Sequence, residues 1–207
     1  MQTMIVDNFL PYPKLVREWA LQQEFLNAEQ YSIKYNAKTD WPGERSDHVY
    51  DLDNEYGDNV LTAVTTIITR LTGLVNLGVK SYFQITRESD GGSWVHQDND
   101  TDYAAILYLN PNVPPIYGTT IYQCNNIPKW QSYMSTAEGY NILKTINELE
   151  NVELYREIFT PTDYIGNVFN RLVIYRGDAY HKSTKYFGTT REDARLTQVF
   201  FIKQNES

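Results

Sequence analysis

Three side chains in this sequence have the types and spacing to hold a divalent metal: His96 and Asp98, one residue apart, and His181 much further along. Imidazole nitrogen and carboxylate oxygen suit metals of intermediate softness, and a set of three leaves coordination positions open. A second group lies in the last apolar run, where Arg195 and Thr197 place a guanidinium and a hydroxyl two residues apart. A guanidinium grips a carboxylate through two parallel N–H bonds, and a hydroxyl adds another. Together the two groups can hold a metal and a dicarboxylate.

Side chains alternate across an extended strand, so in a strand from Ser93 to Asp98 the His96 and Asp98 side chains converge and Gln97 points away. His181 follows a strand, Arg171 to Tyr175, and a turn at Gly177-Asp178, and a paired strand would bring it alongside. Two His and one carboxylate is the facial ligand set of non-haem Fe(II) sites, with zinc as the rival metal. The run Asp98-Asn99-Asp100-Thr101-Asp102 opens like a calcium loop, but Tyr103 stands where that loop needs Gly and Leu109 where it needs Glu. Calcium is therefore rejected. His48 has no matching carboxylates around it and reads as structural or exposed. Arg195 heads an inward row continued by Thr197, Val199 and Phe201, and a charge opening such a row needs a partner. Tyr108, sharing a face with Ala104 and Ile106, is a third donor, and Arg191 in the polar loop Thr189 to Asp193 ranks second to Arg195.

The elements that must position these residues follow from periodicity. Pro11 to Asn27 carries Leu15, Val16, Trp19, Ala20 and Phe25 at helical spacing, with Pro near the start. Trp41 to Ser46 is turn-rich and leaves Arg45 facing a cleft or solvent, with solvent as the default. Asp58 is positioned to cap a helix from Asn59 to about Leu74, with a stripe of Val60, Leu61, Val64, Ile67, Ile68 and Leu71. Strands are expected at Ser81–Thr86, Ser93–Asp98, Tyr103–Leu109, Thr119–Gln123, Tyr164–Val168, Arg171–Tyr175 and Arg195–Lys203. Residues 126–160 interrupt them with a helix from about Thr136 to Leu149 and a short one near Val152 to Ile158, a wall or lid over the site. Two helices and about eight short strands without βαβ alternation predict a mainly β fold with supporting α-helices, an antiparallel double-sheet jelly roll.

A length of 207 residues fits a single domain, 1–207, with 1–78 as helical N-terminal support and 79–203 as the jelly-roll core. A net charge of −8 without a Lys/Arg run argues against nucleic acid or an anionic membrane as partner. The 17 Tyr suit half-buried pleated positions. Cys124, the one cysteine, excludes an internal disulfide framework and reads as an inert small residue. No basic leader or long apolar run is seen, and the expected location is the cytoplasm.

From Val79 to Lys203 these residues resemble the 2-oxoglutarate- and Fe(II)-dependent dioxygenase superfamily, in its prolyl-hydroxylase-like branch. The resemblance rests on His96-x-Asp98, the Tyr103–Asn110 strand ending Tyr-Leu-Asn-Pro, the distal His181, and Arg195-x-Thr197. The His181-to-Arg195 gap is wider than is usual there, and Thr197 stands where Ser often follows the Arg. The resemblance implies a double-stranded β-helix of cupin-like type, with His96, Asp98 and His181 as metal ligands and catalytic centre. Arg195, Thr197 and Tyr108 would bind 2-oxoglutarate, with O2 as the second co-substrate and ascorbate as a candidate reductant. It also implies hydroxylation of a substrate, a protein or peptide side chain ahead of a free amino acid or small metabolite. A non-catalytic jelly-roll binding module is the alternative. Trp41, Arg45, Tyr82, Gln84, Trp94 and the 126–160 insertion could line the approach.

Overall fold

The computed structural model describes residues 3–36, 41–91, 93–98, 100–139, 141–142 and 153–205. Its ten strands are β1 (Thr3–Val6), β2 (Leu26–Asn27), β3 (Glu44–His48), β4 (Leu77–Thr86), β5 (Tyr103–Tyr108), β6 (Thr119–Cys124), β7 (Phe159–Ile165), β8 (Leu172–Arg176), β9 (Tyr180–Ser183) and β10 (Arg195–Gln204). The helices named below are α1 (Pro13–Leu21), α2 (Ala28–Tyr35), α3 (Val49–Leu52), α4 (Asn54–Thr72), α5 (Ile127–Met134) and α6 (Glu153–Ile158).

A seven-stranded sheet runs β1-β8-β5-β10-β4-β3-β2, and a three-stranded sheet, β7-β6-β9, faces it. All pairings are antiparallel. Beside β9, the extended segment 93–98 makes a single antiparallel bridge, His96 to His181. That segment completes the smaller layer, so three strands and one extended segment oppose the four strands β8, β5, β10 and β4 of the larger one, a double-stranded β-helix.

Strand alternation sorts the core into two compartments. Phe83, Ile85, Ala105, Leu107, Leu196 and Phe200 point away from the smaller sheet and pack against Val60, Val64 and Ile68 of α4 and Ala20 of α1. Ala104, Ile106, Tyr108, Val173, Tyr175 and Val199 point the other way and meet Ile121 and Ile165 across the sandwich. Every residue of β5 is therefore buried. The run reads as continuous hydrophobicity because both of its faces are covered.

Several elements differ from the periodicity reading. Ser93–Asp98 is extended but not a regular strand, since only His96 forms a bridge. The strand expected at Tyr164–Val168 lies earlier, at Phe159–Ile165. The N-terminal part adds strands to both edges of the large sheet, β1 on one side and β2 and β3 on the other. The second expected helix begins earlier: Asp53, not Asp58, caps α4, accepting from Tyr56 N at 2.9 Å. Of the helix expected over Thr136 to Leu149, residues 140 and 143–149 lie outside the described residues, while 137–139 and 141–142 are helical. No helix among the described residues is long and apolar enough to cross a membrane.

Candidate active site

Backbone pairing sets the metal-ligating group. His96 N donates to His181 O at 3.0 Å, His181 N donates to His96 O at 2.9 Å, and Asp98 N donates to Gly177 O at 2.9 Å. These three bonds lock 96–98 against 177–181, so residues 85 positions apart in the chain share one point, their ligand atoms all within 4.8 Å of one another. Gln97 turns aside and donates to Asp178 O at 2.6 Å.

Each imidazole is oriented by a carbonyl two residues upstream. His96 Nδ1 lies 2.9 Å from Trp94 O, and His181 Nδ1 lies 3.0 Å from Ala179 O. A carbonyl only accepts, so in both rings Nδ1 carries the proton and Nε2 presents its lone pair. The two Nε2 atoms face one carboxylate, at 3.8 Å from Asp98 Oδ1 and 3.5 Å from Asp98 Oδ2. Burial, reinforced by His181, pulls the His96 pKa down to about 4 against the pull of Asp98. The ring is neutral at ordinary pH. Two imidazole nitrogens and one carboxylate oxygen around a common centre can hold a divalent cation.

Elsewhere on the cavity wall stands a buried guanidinium. Arg195 is 3 % exposed, yet among the described residues its Nε and Nη2 have no hydrogen-bond partner; Thr197 Oγ1 and Thr86 Oγ1 are also buried without one. Register explains the grouping: Arg195 lies opposite Thr86, and Thr197 opposite both Gln84 and Tyr108. A buried donor left unmade costs about 1–3 kcal/mol, more when charged. The Tyr108 hydroxyl bonds Thr119 Oγ1 at 2.7 Å, while the Arg195 guanidinium sits 5.7 Å from the Tyr108 ring centre. Arg191 is placed elsewhere, donating to Gln23 O at 3.3 Å and stacking on Phe25 beyond the end of α1.

His96, Asp98, His181 and Arg195 line one cavity of about 280 Å³ with Trp94, Tyr175 and Val199. Thr197 and Tyr108 stand beside Arg195 without reaching its wall. His48 is structural: its Nδ1 accepts from Tyr50 N at the start of α3.

Arg45 corrects the solvent expectation. It is half-buried on β3 opposite Gln84, donates through Nε and Nη2 to Gln84 Oε1 at 3.3 and 3.2 Å, and lines the same cavity. Its guanidinium lies 4.5 Å from the Trp41 ring and 5.3 Å from the Phe201 ring. Burial lowers its pKa to about 10, with Asp98 opposing, so it stays charged. The signal was faint, because Glu44 to His48 is polar throughout and nothing in it alternates as a strand should.

Among solved structures the chain is similar to HygX from Streptomyces hygroscopicus with nickel and 2-oxoglutarate bound, at 10% identity and TM-score 0.62, covering 99% of this chain and 83% of that one. It is similar to a Trichoplax adhaerens prolyl hydroxylase in complex with a hypoxia inducible factor peptide fragment, at 14% identity and TM-score 0.56, covering 98% and 84%. The carbocyclase SnoK from nogalamycin biosynthesis, described as non-heme and alpha-ketoglutarate-dependent, matches at 10% identity and TM-score 0.58, covering 98% and 80%. The fold is thus that of the 2-oxoglutarate- and Fe(II)-dependent oxygenases. No curated protein matches the sequence. A family model matches residues 1–202, and the chain belongs to that family, DUF6445, a family of unknown function.

Proposed function

We propose that this protein is an Fe(II)- and 2-oxoglutarate-dependent oxygenase that hydroxylates its substrate. The observation that carries the reading is the meeting, in one cavity, of an oriented His–Asp–His group and a buried arginine with unmet donors. Neither half explains the other: a bare metal site needs no buried arginine, and a simple acid-binding pocket needs no oriented imidazoles.

Bound at His96, Asp98 and His181, Fe(II) would supply oxygen activation coupled to decarboxylation of 2-oxoglutarate to succinate. The chain itself binds, orients and excludes water. Arg195 meets the far carboxylate of the co-substrate, with Thr197 and Thr86 as hydroxyl donors nearby, and Tyr108 supports the guanidinium from below. Asp98 contributes the one negative charge among the ligands. Val199, Ile106 and Ala104 make the wall apolar, which strengthens the ionic contacts by keeping water out. The unpaired atoms of Arg195 and Thr197 favour this over a binding module that lacks the co-substrate. The free thiol of Cys124 and the need to keep iron reduced agree with a cytoplasmic location.

For the substrate, a protein or peptide side chain is the first reading, supported by the peptide carried by the similar Trichoplax enzyme. A small metabolite is the second, favoured by an adjoining cavity of about 910 Å³, within the range of small-molecule sites. The test is succinate release from 2-oxoglutarate on adding Fe(II). Metal-dependent release that His96→Ala abolishes supports the reading; no release together with no binding of either component would sink it.

A further inference from the structure

Beside the cavity that holds the candidate metal group lies a second chamber, lined by Tyr31, Arg45, Tyr82, Lys80, Lys203 and Phe201 among others. It shares Trp41, Arg45 and Phe201 with the inner cavity, so Arg45 stands at the doorway between them. The register of the large sheet lays this out along one face. Arg195 and Thr86 sit at the inner end, Thr197 and Gln84 next, then Val199 and Tyr82, then Phe201 and Lys80.

The charges in this chamber are unbalanced. Among the described lining residues, Arg45, Lys80 and Lys203 face one carboxylate, Asp100, although the whole chain carries a net charge of −8. The other acids of β3 are engaged elsewhere, Glu44 with Arg87 at 3.0 Å and Asp47 with Lys34 at 3.2 Å. In the inner cavity Asp98 is the acid nearest in influence to Arg45, but it belongs to the candidate metal group. Once a divalent cation neutralises Asp98 and Arg195 is matched by its own carboxylate, Arg45 loses the acid that acts on it most. The guanidinium is also held ready: it donates through Nε and Nη2 to Gln84 Oε1, Gln84 Nε2 donates to Pro42 O at 3.0 Å, and the Trp41 and Phe201 rings lie 4.5 and 5.3 Å from the guanidinium. Gln84 takes the Nε–Nη2 edge, and the planar edge it does not use, Nη1 with the second N–H of Nη2, can pair with a carboxylate through two parallel N–H bonds.

We propose that Arg45 is the specificity residue of a substrate subsite for a carboxylate, with Tyr31, Trp41 and Tyr82 enclosing the body of the substrate and Lys80 and Lys203 drawing it in. The proposal rests on the oxygenase reading for the meaning of the inner cavity. It makes the substrate an acid, either a free carboxylic acid or an acidic residue of a peptide.

The test is a binding measurement. Protein loaded with Mn(II) and N-oxalylglycine is titrated calorimetrically with benzoate, phenylacetate, N-acetylphenylalanine and a Glu-containing tetrapeptide, each beside its own carboxamide. At least one acid should bind ten-fold or more tightly than its amide, and the arm that does so separates a free acid from a peptide. Arg45→Gln should bring that pair within about two-fold, and Arg45→Lys, which keeps charge but loses the fork, should fall between. If Arg45→Gln does not fold, the surface pair Lys80→Gln and Lys203→Gln decides: it should weaken the acid two- to three-fold and reduce its salt dependence. The proposal is overturned if no acid outbinds its amide, if the preference survives in Arg45→Gln, or if phenyl phosphate binds more tightly than every carboxylate. Failure of Mn(II) or N-oxalylglycine to bind would sink the oxygenase reading separately, and the same acid–amide comparison on metal-free protein would then decide this one.

Discussion

The carbonyls of Trp94 and Ala179 do what a second layer of ligand support does in metal sites generally: they fix a tautomer before any metal arrives. That leaves Arg195 as the residue whose environment most needs a ligand, and its substitution separates the two halves of the site. Arg195→Ala should leave Mn(II) affinity unchanged and weaken N-oxalylglycine by roughly ten- to a hundred-fold, the equivalent of about 1.5–3 kcal/mol for charge-assisted bonds. Arg191→Ala should leave both unchanged, because its contacts are with Gln23 and Phe25. Calorimetric titration of each variant with each ligand checks this, and a larger loss from Arg191→Ala would reverse the assignment. At this scale the sequence was readable where chemistry limits the choice of residue, as with a His-x-Asp pair or a charge heading an inward apolar row. Arg45 was readable only as one of several residues that could line the approach, since its placement depends on Gln84 and Phe201, which only the register of β3, β4 and β10 brings to it.

Elements were legible where one face is buried and illegible where edge strands are polar. The stripe of α4 is plain in the sequence, but the helix starts before Asp58. Asp53 is its cap, accepting from Tyr56 N, and Asp58 is exposed inside the helix. Asp53→Ala should therefore cost about 1 kcal/mol in urea unfolding and Asp58→Ala close to none; equal costs would contradict the cap. Helix α2 could have been found from Asn27 and Gln30, a reciprocal capping box at 2.9 and 3.0 Å, but its weak apolar stripe hid it. The wide His181-to-Arg195 gap also has a local account. Asp193 Oδ1 accepts from Thr189 N at 2.8 Å and Thr190 N at 2.7 Å, folding the surplus into a closed turn. Gly188, at φ +80°, passes so close to Ala194 that an added Cβ would lie 2.5 Å from its backbone. The extra residues are absorbed before β10 begins, so Arg195 still heads the strand.

The molecule as a whole couples these parts through one sandwich. The trio comes from the smaller layer and Arg195 from the larger, so a ligand touching both ties the layers together and must stabilise the fold. At a free concentration of about 100 times Kd, a ligand specific to the native state adds about 2.7 kcal/mol. For a chain of this size each kcal/mol moves Tm by roughly 2–4 °C. Mn(II) with N-oxalylglycine should accordingly raise Tm by about 5–10 °C, measured by calorimetry, and the two should act in order. N-oxalylglycine alone should give a small shift, because half of its contacts need the metal, and EDTA should remove most of the combined gain. His96→Ala should lose both increments, while Arg195→Ala should keep the metal increment and lose only the second. Equal shifts from N-oxalylglycine with and without metal would mean that the acid sits against Arg195 without spanning the sandwich. The two groups would then be neighbours in one cavity and not a single site.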